Sequence, residues 1–154
     1  MPSINYEEIY SKFRLKADAY DLLDLREDDV NMFMCEWLHS SIQKPYIYRL
    51  FNQVEFHDDI QKLEYSMKYV VEKYFDQGFV SDILGIGMVI EWITPKIVNL
   101  NNIVQVYASS DEKFYSQTNH LNGLKDLRAS LVKEQQDIIK QRGYIWNSYL
   151  ESNS

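Results

Sequence analysis

Asp82-Ile83-Leu84-Gly85-Ile86-Gly87-Met88-Val89-Ile90-Glu91-Trp92-Ile93-Thr94-Pro95-Lys96-Ile97 contains the densest apolar run in the chain. Its length and spacing predict a helix over residues 80–93 that stops before Pro95, which has no amide to donate and restrains Thr94. Gly85 and Gly87 each cost such a helix about 1 kcal/mol relative to Ala, so their presence is read as close approach of a neighbouring helix. A phosphate-binding loop would need a Gly-Lys-Ser/Thr ending, which Gly85-Ile86-Gly87-Met88 lacks. Between Asp82 and Glu91 the uncharged stretch is only eight residues, against the roughly 20 needed to cross a bilayer. No membrane span is expected.

Beyond that helix, Asn99, Asn101 and Asn102 predict a turn-prone linker, and Ile103, Val104, Val106 and Tyr107 resume a helical segment. Ser110 then reads as the cap of the longest helix. Asp111 and Glu112 fall in its first turn, Lys140 and Arg142 in its last, and Gly143 suits a left-handed closing position. Phe114, Leu121, Leu124, Leu127, Leu131, Ile138 and Ile139 give it one apolar stripe.

On the N-terminal side, Asn5 is placed to cap a first helix, with Glu7 and Glu8 complementing its positive end and Ile9, Phe13 and Ala17 facing inward. Residues 21–25 read as a connection. A second helix begins near Glu27, with Asp28 and Asp29 in its first turn, and carries Val30, Phe33, Met34, Trp37, Leu38 and Ile42 at helical spacing, a stripe read as core packing. Pro45 ends it. Residues 46–75 fit two patterns. Ile60, Leu63, Met67, Val70 and Tyr74 step as a helix, the reading favoured; Tyr65, Met67, Tyr69 and Val71 alternate as a strand, which would make a hairpin around His57-Asp58-Asp59.

The expected fold is mainly α: a small bundle of four to five helices with a long C-terminal helix, and a possible short β-hairpin within residues 46–75. The 154 residues suffice for one domain, here residues 1–143, followed by a C-terminal aromatic arm over residues 144–154. That arm carries Tyr144, Ile145, Trp146, Tyr149 and Leu150, too apolar for an idle tail and suited either to packing against the chain's own core or to anchoring a partner. The first residues, Met1-Pro2-Ser3-Ile4-Asn5, resemble no signal peptide.

Chemistry-bearing residues are sparse. His39, His57 and His120 show no metal-ligand spacing, and Asp58-Asp59 lacks the alternating oxygens and glycine of a calcium loop. No metal or cofactor is expected, and Asp58-Asp59 reads as a solvated turn. Cys35 has no intramolecular disulfide partner and reads as a small buried hydrophobe in a reducing compartment. Glu91 is read as pairing with Lys96 or an amide rather than acting as an acid or base. Ser116 and His120, at i and i+4 on one helix face, lack a nucleophile-elbow context. No catalytic residue is assigned, and the chain is not expected to be an enzyme. A net charge of −7, with the 16 Lys and Arg scattered, disfavours sequence-specific nucleic-acid binding.

The order Tyr6…Ile9…Phe13, Asp28-Asp29…Met32…Trp37-Leu38…Ile42, Met88…Glu91-Trp92-Ile93…Pro95-Lys96-Ile97 and Phe114-Tyr115-Ser116…Asn119-His120…Leu124 resembles the head-tail connector, or adaptor, proteins of tailed bacteriophages. The similarity runs from Tyr6 to Leu127 and rests on packing residues. It implies a structural protein of the virion neck, assembled in the host bacterial cytoplasm. As implied, twelve copies form a homo-oligomeric ring under the portal protein, a terminal segment grips the portal, and the next neck or tail-completion protein binds below. DNA passes through the ring without sequence-specific binding. The alternative from residues alone is a small cytoplasmic helical protein-binding module of inhibitor or immunity type.

Overall fold

A computed structural model describes residues 1–19, 30–106 and 111–153 of the chain. Along these residues run β1 (Ser3–Asn5), α1 (Tyr6–Ala19), α2 (Val30–Ile42), α3 (Pro45–Tyr48), β2 (Phe51–His57), β3 (Lys62–Met67), α4 (Lys73–Val106) and α5 (Asp111–Asn153). The fold is mainly helical, with long helices and one small antiparallel sheet, as expected. The connection at residues 21–25, the helix start at residues 27–29 and the Ser110 cap lie outside the described residues.

The apolar run around Gly85 is the middle of α4, and three helices, α1, α2 and α5, pack on it. Val80, Ile83, Leu84, Met88, Val89 and Ile93 have no exposed surface, as befits a helix apolar on all sides. Gly85 and Gly87 make this crowding possible. A Cβ on Gly85 would lie 2.6 Å from Lys12 Cβ and 3.1 Å from the Phe13 amide nitrogen of α1. A Cβ on Gly87 would lie 2.8 Å from Ser41 Cβ of α2 and 3.3 Å from Gln135 Nε2 of α5. That amide is fully buried and donates to the Ile83 carbonyl at 2.7 Å, tying α5 to α4. Below this level Phe13, Trp37 and Trp92 meet at ring separations of 5.7–5.9 Å and join α1, α2 and α4.

α4 overruns both of its expected limits. It starts at Lys73, where the Glu72 carboxylate accepts from the Phe75 amide at 2.9 Å in the manner of a helix cap. At the other end Pro95 sits inside the helix and the three asparagines continue it. Proline removes the donor to the Glu91 carbonyl, but Thr94 and the half-buried Ile97 and Leu100 keep the helix attached on either side. Thr94 Oγ1 donates to the Ile90 carbonyl at 2.6 Å and accepts from Arg128 Nε of α5 at 3.1 Å, while Ile97 and Leu100 pack against the core. Tertiary packing therefore overrides the local stop signal. Over this greater length, Lys73–Asn102 is long and apolar enough to cross a membrane, yet 56% of its most apolar window is buried inside the fold, as in a core helix.

The helical reading of residues 60–74 is corrected. Phe51–His57 and Lys62–Met67 form an antiparallel hairpin, turned at residues 58–61, where Gln61 takes a left-handed φ of 54°. Alternation decides: Leu63, Tyr65 and Met67 are buried while Glu64 and Ser66 face the other side. A third strand was not foreseen. β1 pairs with β3 in the register Ser3↔Glu64, Ile4↔Leu63 and Asn5↔Lys62, giving the order β1-β3-β2 and burying Ile4. α2 ends at Ile42, ahead of Pro45 as expected, and Pro45 also opens α3 at a position where its missing amide costs nothing.

In α5, Leu121, Leu124 and Leu131 are buried and Leu127, Ile138 and Ile139 half-buried, so the expected stripe is present wherever side chains are described; the Phe114 side chain is outside them. The Gly143 stop is not used. No glycine among the described residues has positive φ, and α5 continues to Asn153. The boundary expected at residue 143 thus falls within one helix of 43 residues, about 64 Å long at 1.5 Å per residue.

The glycine contacts predict opposite effects of one substitution. Gly85→Ala overpacks α1 against α4 and lowers stability by about 1–3 kcal/mol. Gly78→Ala meets nothing within 4 Å and raises stability by about 0.5–1 kcal/mol through helix propensity. Chemical denaturation midpoints check both; equal effects would remove the close approach from the account.

Candidate functional site

Two places on the folded chain combine special chemistry with exposure. One is the C-terminal part of α5. The other is the hairpin turn where it meets α1 and α2.

Near its C-terminal end α5 is locked to the body by Arg142. Its guanidinium, buried to 6% exposure, meets Asp76 Oδ1 at 2.8 Å, donates to the Tyr69 carbonyl, and lies 4.9 Å from the Phe79 ring centroid. Asp76 Oδ2 in turn accepts from the Val71 amide at 3.1 Å. One ion pair thus fixes the start of α4, the strand-to-helix connection and α5 together. Around this clamp the surface is apolar. Tyr69, Val70, Tyr74 and Phe75 are exposed on the connection and the first turn of α4, and Tyr144 and Ile145 on α5, Tyr144 at 70% and Tyr74 at 74%. A groove of about 390 Å³ runs between Tyr74, Phe75, Phe79, Ile138, Arg142 and Ile145. Of the residues singled out as partner anchors, Ile145 lines this groove and Tyr144 is exposed on α5. The side chains of Trp146, Tyr149 and Leu150 lie outside the described residues. Tyr69, Tyr74 and Phe75 were missed as surface residues, because their spacing reads equally well as a core stripe.

At the hairpin turn Asp58 gathers donors from two helices. Its Oδ1 accepts from the Tyr6 hydroxyl at 2.5 Å, the Cys35 thiol at 3.6 Å and His39 Nε2 at 2.9 Å, and its Oδ2 lies 3.1 Å from the same nitrogen. The His39 ring is held flat against Phe56, with centroids 3.8 Å apart. The donation from Tyr6, then that from His39, holds the Asp58 carboxyl below the usual carboxylate range. Burial, then the Asp58 charge, pushes the Cys35 thiol up. Burial also raises the Tyr6 and Tyr10 hydroxyls, Tyr6 with the help of its bond to Asp58 and Tyr10 through Cys35 beside it.

Asp58 is therefore a hydrogen-bond hub rather than a merely solvated turn, and Cys35 is half-buried beside it rather than lost in the core. No spacing rule could have found this: α2 supplies Cys35 and His39 one turn apart, and the third group arrives from the hairpin. A raised thiol bonded to a carboxylate is no activated nucleophile. A second grouping, Glu55, His57 and Glu64, lies on the exposed side of the sheet, with His57 Nε2 3.5 Å from Glu64.

Of the acid, base and nucleophile candidates, Glu91 lies on α4 and His120 on α5. Glu91 pairs at 3.1 Å with Lys44, the residue just before α3. His120 is exposed on α5, and the Ser116 side chain lies outside the described residues. No protein-family model, curated protein or solved structure matches the chain.

Two outcomes follow from these geometries. Arg142→Met strands the buried Asp76 charge and lowers stability by about 3–5 kcal/mol, whereas adding Asp76→Asn, which keeps an acceptor for Val71, recovers most of the loss in a double-mutant cycle. Asp58 contributes stability that is complete above the ordinary carboxylate value, about 3.9, and is lost as pH falls through its depressed folded value. The stability gap between wild type and Asp58→Asn is accordingly constant near neutrality and closes below about pH 4; a gap that persists in acid would exclude the ionised hub.

Proposed function

We propose that the chain is a structural head-tail connector of a tailed bacteriophage, a subunit of a ring beneath the portal that leaves a channel for DNA. The observation that carries this reading is the exposed aromatic and aliphatic surface around the Arg142 clamp. Tyr74, Phe75 and Ile145 line a groove there, and Tyr144 is exposed on the same stretch of α5. Large amphipathic rings at the end of a rigid helix are what a docking site uses, since a ring covers much area at small entropic cost.

The resemblance of Met88…Glu91-Trp92-Ile93…Pro95-Lys96-Ile97 and its companion segments to connector proteins supplies the partner. The portal protein meets the α5 end, neighbouring copies complete a dodecameric ring, and the next neck or tail-completion protein binds below. Closed rings need two different complementary faces on each subunit, and a helical body with a separate terminal surface provides them. The chain's charge of −7 suits the wall of a DNA conduit, because a like charge does not hold the polymer as it passes. Many weak grips held in register raise the effective concentration at the junction and seal it.

Deleting residues 144–154 leaves Arg142 and its partners in place, so the truncated chain is expected to remain folded, with a helical circular-dichroism spectrum, and to stop co-sedimenting with portal particles. Normal attachment by the truncated chain would take the α5 end out of the mechanism. A tight one-to-one complex with another protein, without rings in electron micrographs, would favour an inhibitor-type module instead.

A further inference from the structure

We propose that Cys35, His39 and Asp58 form a zinc-binding site that staples the β2–β3 turn to α2. The three groups come from two elements, and their ligand atoms, Sγ, Nε2 and a carboxylate oxygen, all lie within 4.8 Å of one another. Zinc bonds of about 2.3 Å to sulfur and about 2.0–2.2 Å to nitrogen and oxygen, at tetrahedral angles, set ligand-to-ligand separations near 3.3–3.6 Å. Cys35 Sγ and Asp58 Oδ1 already stand 3.6 Å apart. His39 Nε2 and Asp58 Oδ1, at 2.9 Å, need to part by only a few tenths of an ångström, about the difference between a hydrogen bond and a tetrahedral edge.

The donor set favours a borderline-soft divalent ion. Thiolate and imidazole select zinc and its neighbours, whereas calcium and magnesium require oxygen ligands throughout. In the metal-free arrangement two protons, on Cys35 and on His39 Nε2, occupy the space between the three ligand atoms. Zinc replaces both. The thiol proton leaves to solvent as Cys35 becomes a thiolate, and the neutral His39 ring shifts its single ring proton from Nε2 to Nδ1, freeing the Nε2 lone pair for the metal. Binding therefore releases the Cys35 proton and strengthens as pH rises.

Surrounding residues orient the ligands as metal sites require. The Tyr6 hydroxyl holds the Asp58 carboxylate from α1, and Phe56 fixes the plane of His39. Half-exposed Asp58 and half-buried His39 leave a route for the ion to enter and room for water as the fourth ligand. The Glu55, His57 and Glu64 group, with no sulfur, is the competing location.

Cobalt and zinc titrations of the full chain test the site. Wild type is expected to bind Co²⁺ with a thiolate-to-metal charge-transfer band, displaced by Zn²⁺, and Zn²⁺ is expected to slow alkylation of Cys35 and raise the thermal midpoint. Cys35→Ser and His39→Gln should lose the band and the thermal shift while keeping a wild-type circular-dichroism spectrum. Tyr6→Phe should weaken binding about 10–100-fold as an orienting partner, and Glu64→Gln should leave it unchanged. Absence of the band, Zn²⁺ without effect on Cys35 alkylation, or binding lost in His57→Ala but kept in Cys35→Ser would each overturn the proposal.

Discussion

Gly85 and Gly87 set the distances on which the rest of this molecule depends. At these two positions α4 has no side chain, and α1, α2 and α5 approach until a single added methyl group would collide with Lys12, Phe13, Ser41 or Gln135. Close approach brings dispersion contacts to every neighbouring aliphatic group, which offsets the helix propensity lost at each glycine. It also brings the Gln135 amide within reach of the Ile83 carbonyl. A buried side-chain amide needs such a partner, because an unsatisfied one costs about 1–3 kcal/mol. The register of α5 on α4 is fixed by that requirement as much as by its leucines.

From this register follows the placement of Arg142. Gln135 and Arg142 are two turns apart on α5 and face the same helix, so seating one seats the other. The ion pair with Asp76 is a device for position more than for stability, since a buried pair seldom gains much over well-packed apolar groups. What it secures is the junction of sheet and bundle, and with it the attitude of the exposed Tyr74, Phe75, Tyr144 and Ile145. At the opposite end of the hairpin Asp58 plays a parallel part, collecting Tyr6, Cys35 and His39 so that the turn is tied to the helices.

The helices were legible in the sequence where periodicity and apolar content agreed. Ile9 and Phe13, Met34, Leu38 and Ile42, and Ile83 through Ile93 all face the core as their spacing requires. Close helix approach at Gly85 and Gly87 was legible too, because a costly residue in a buried run has few other uses. Signals that act through the backbone alone misled. Pro95, Asn99 and Gly143 each mark a stop in isolation, yet α4 and α5 run through them, α4 with Ile97 and Leu100 packed against the core. Residues 60–74 satisfied two periods at once, and only pairing with Ser3–Asn5 and Phe51–His57, which no local window contains, selects the strand. The clusters at Asp58 and Arg142 were illegible for the same reason: the groups that bond to Asp58 and to Arg142 lie 19 to 73 residues from them.

These pieces describe a body held shut around α4 and an exposed apolar surface at the α5 end, which the proposed connector role assigns to a neighbour. Amide hydrogen exchange, measured on the free chain and again in assembled neck particles, tests that division most directly. On assembly the account predicts new protection at residues 69–75 and 141–145, with residues 80–93 already the slowest to exchange in the free chain and unchanged by assembly. New protection confined to the sheet, with the α5 end exchanging as it does in the free chain, would contradict it.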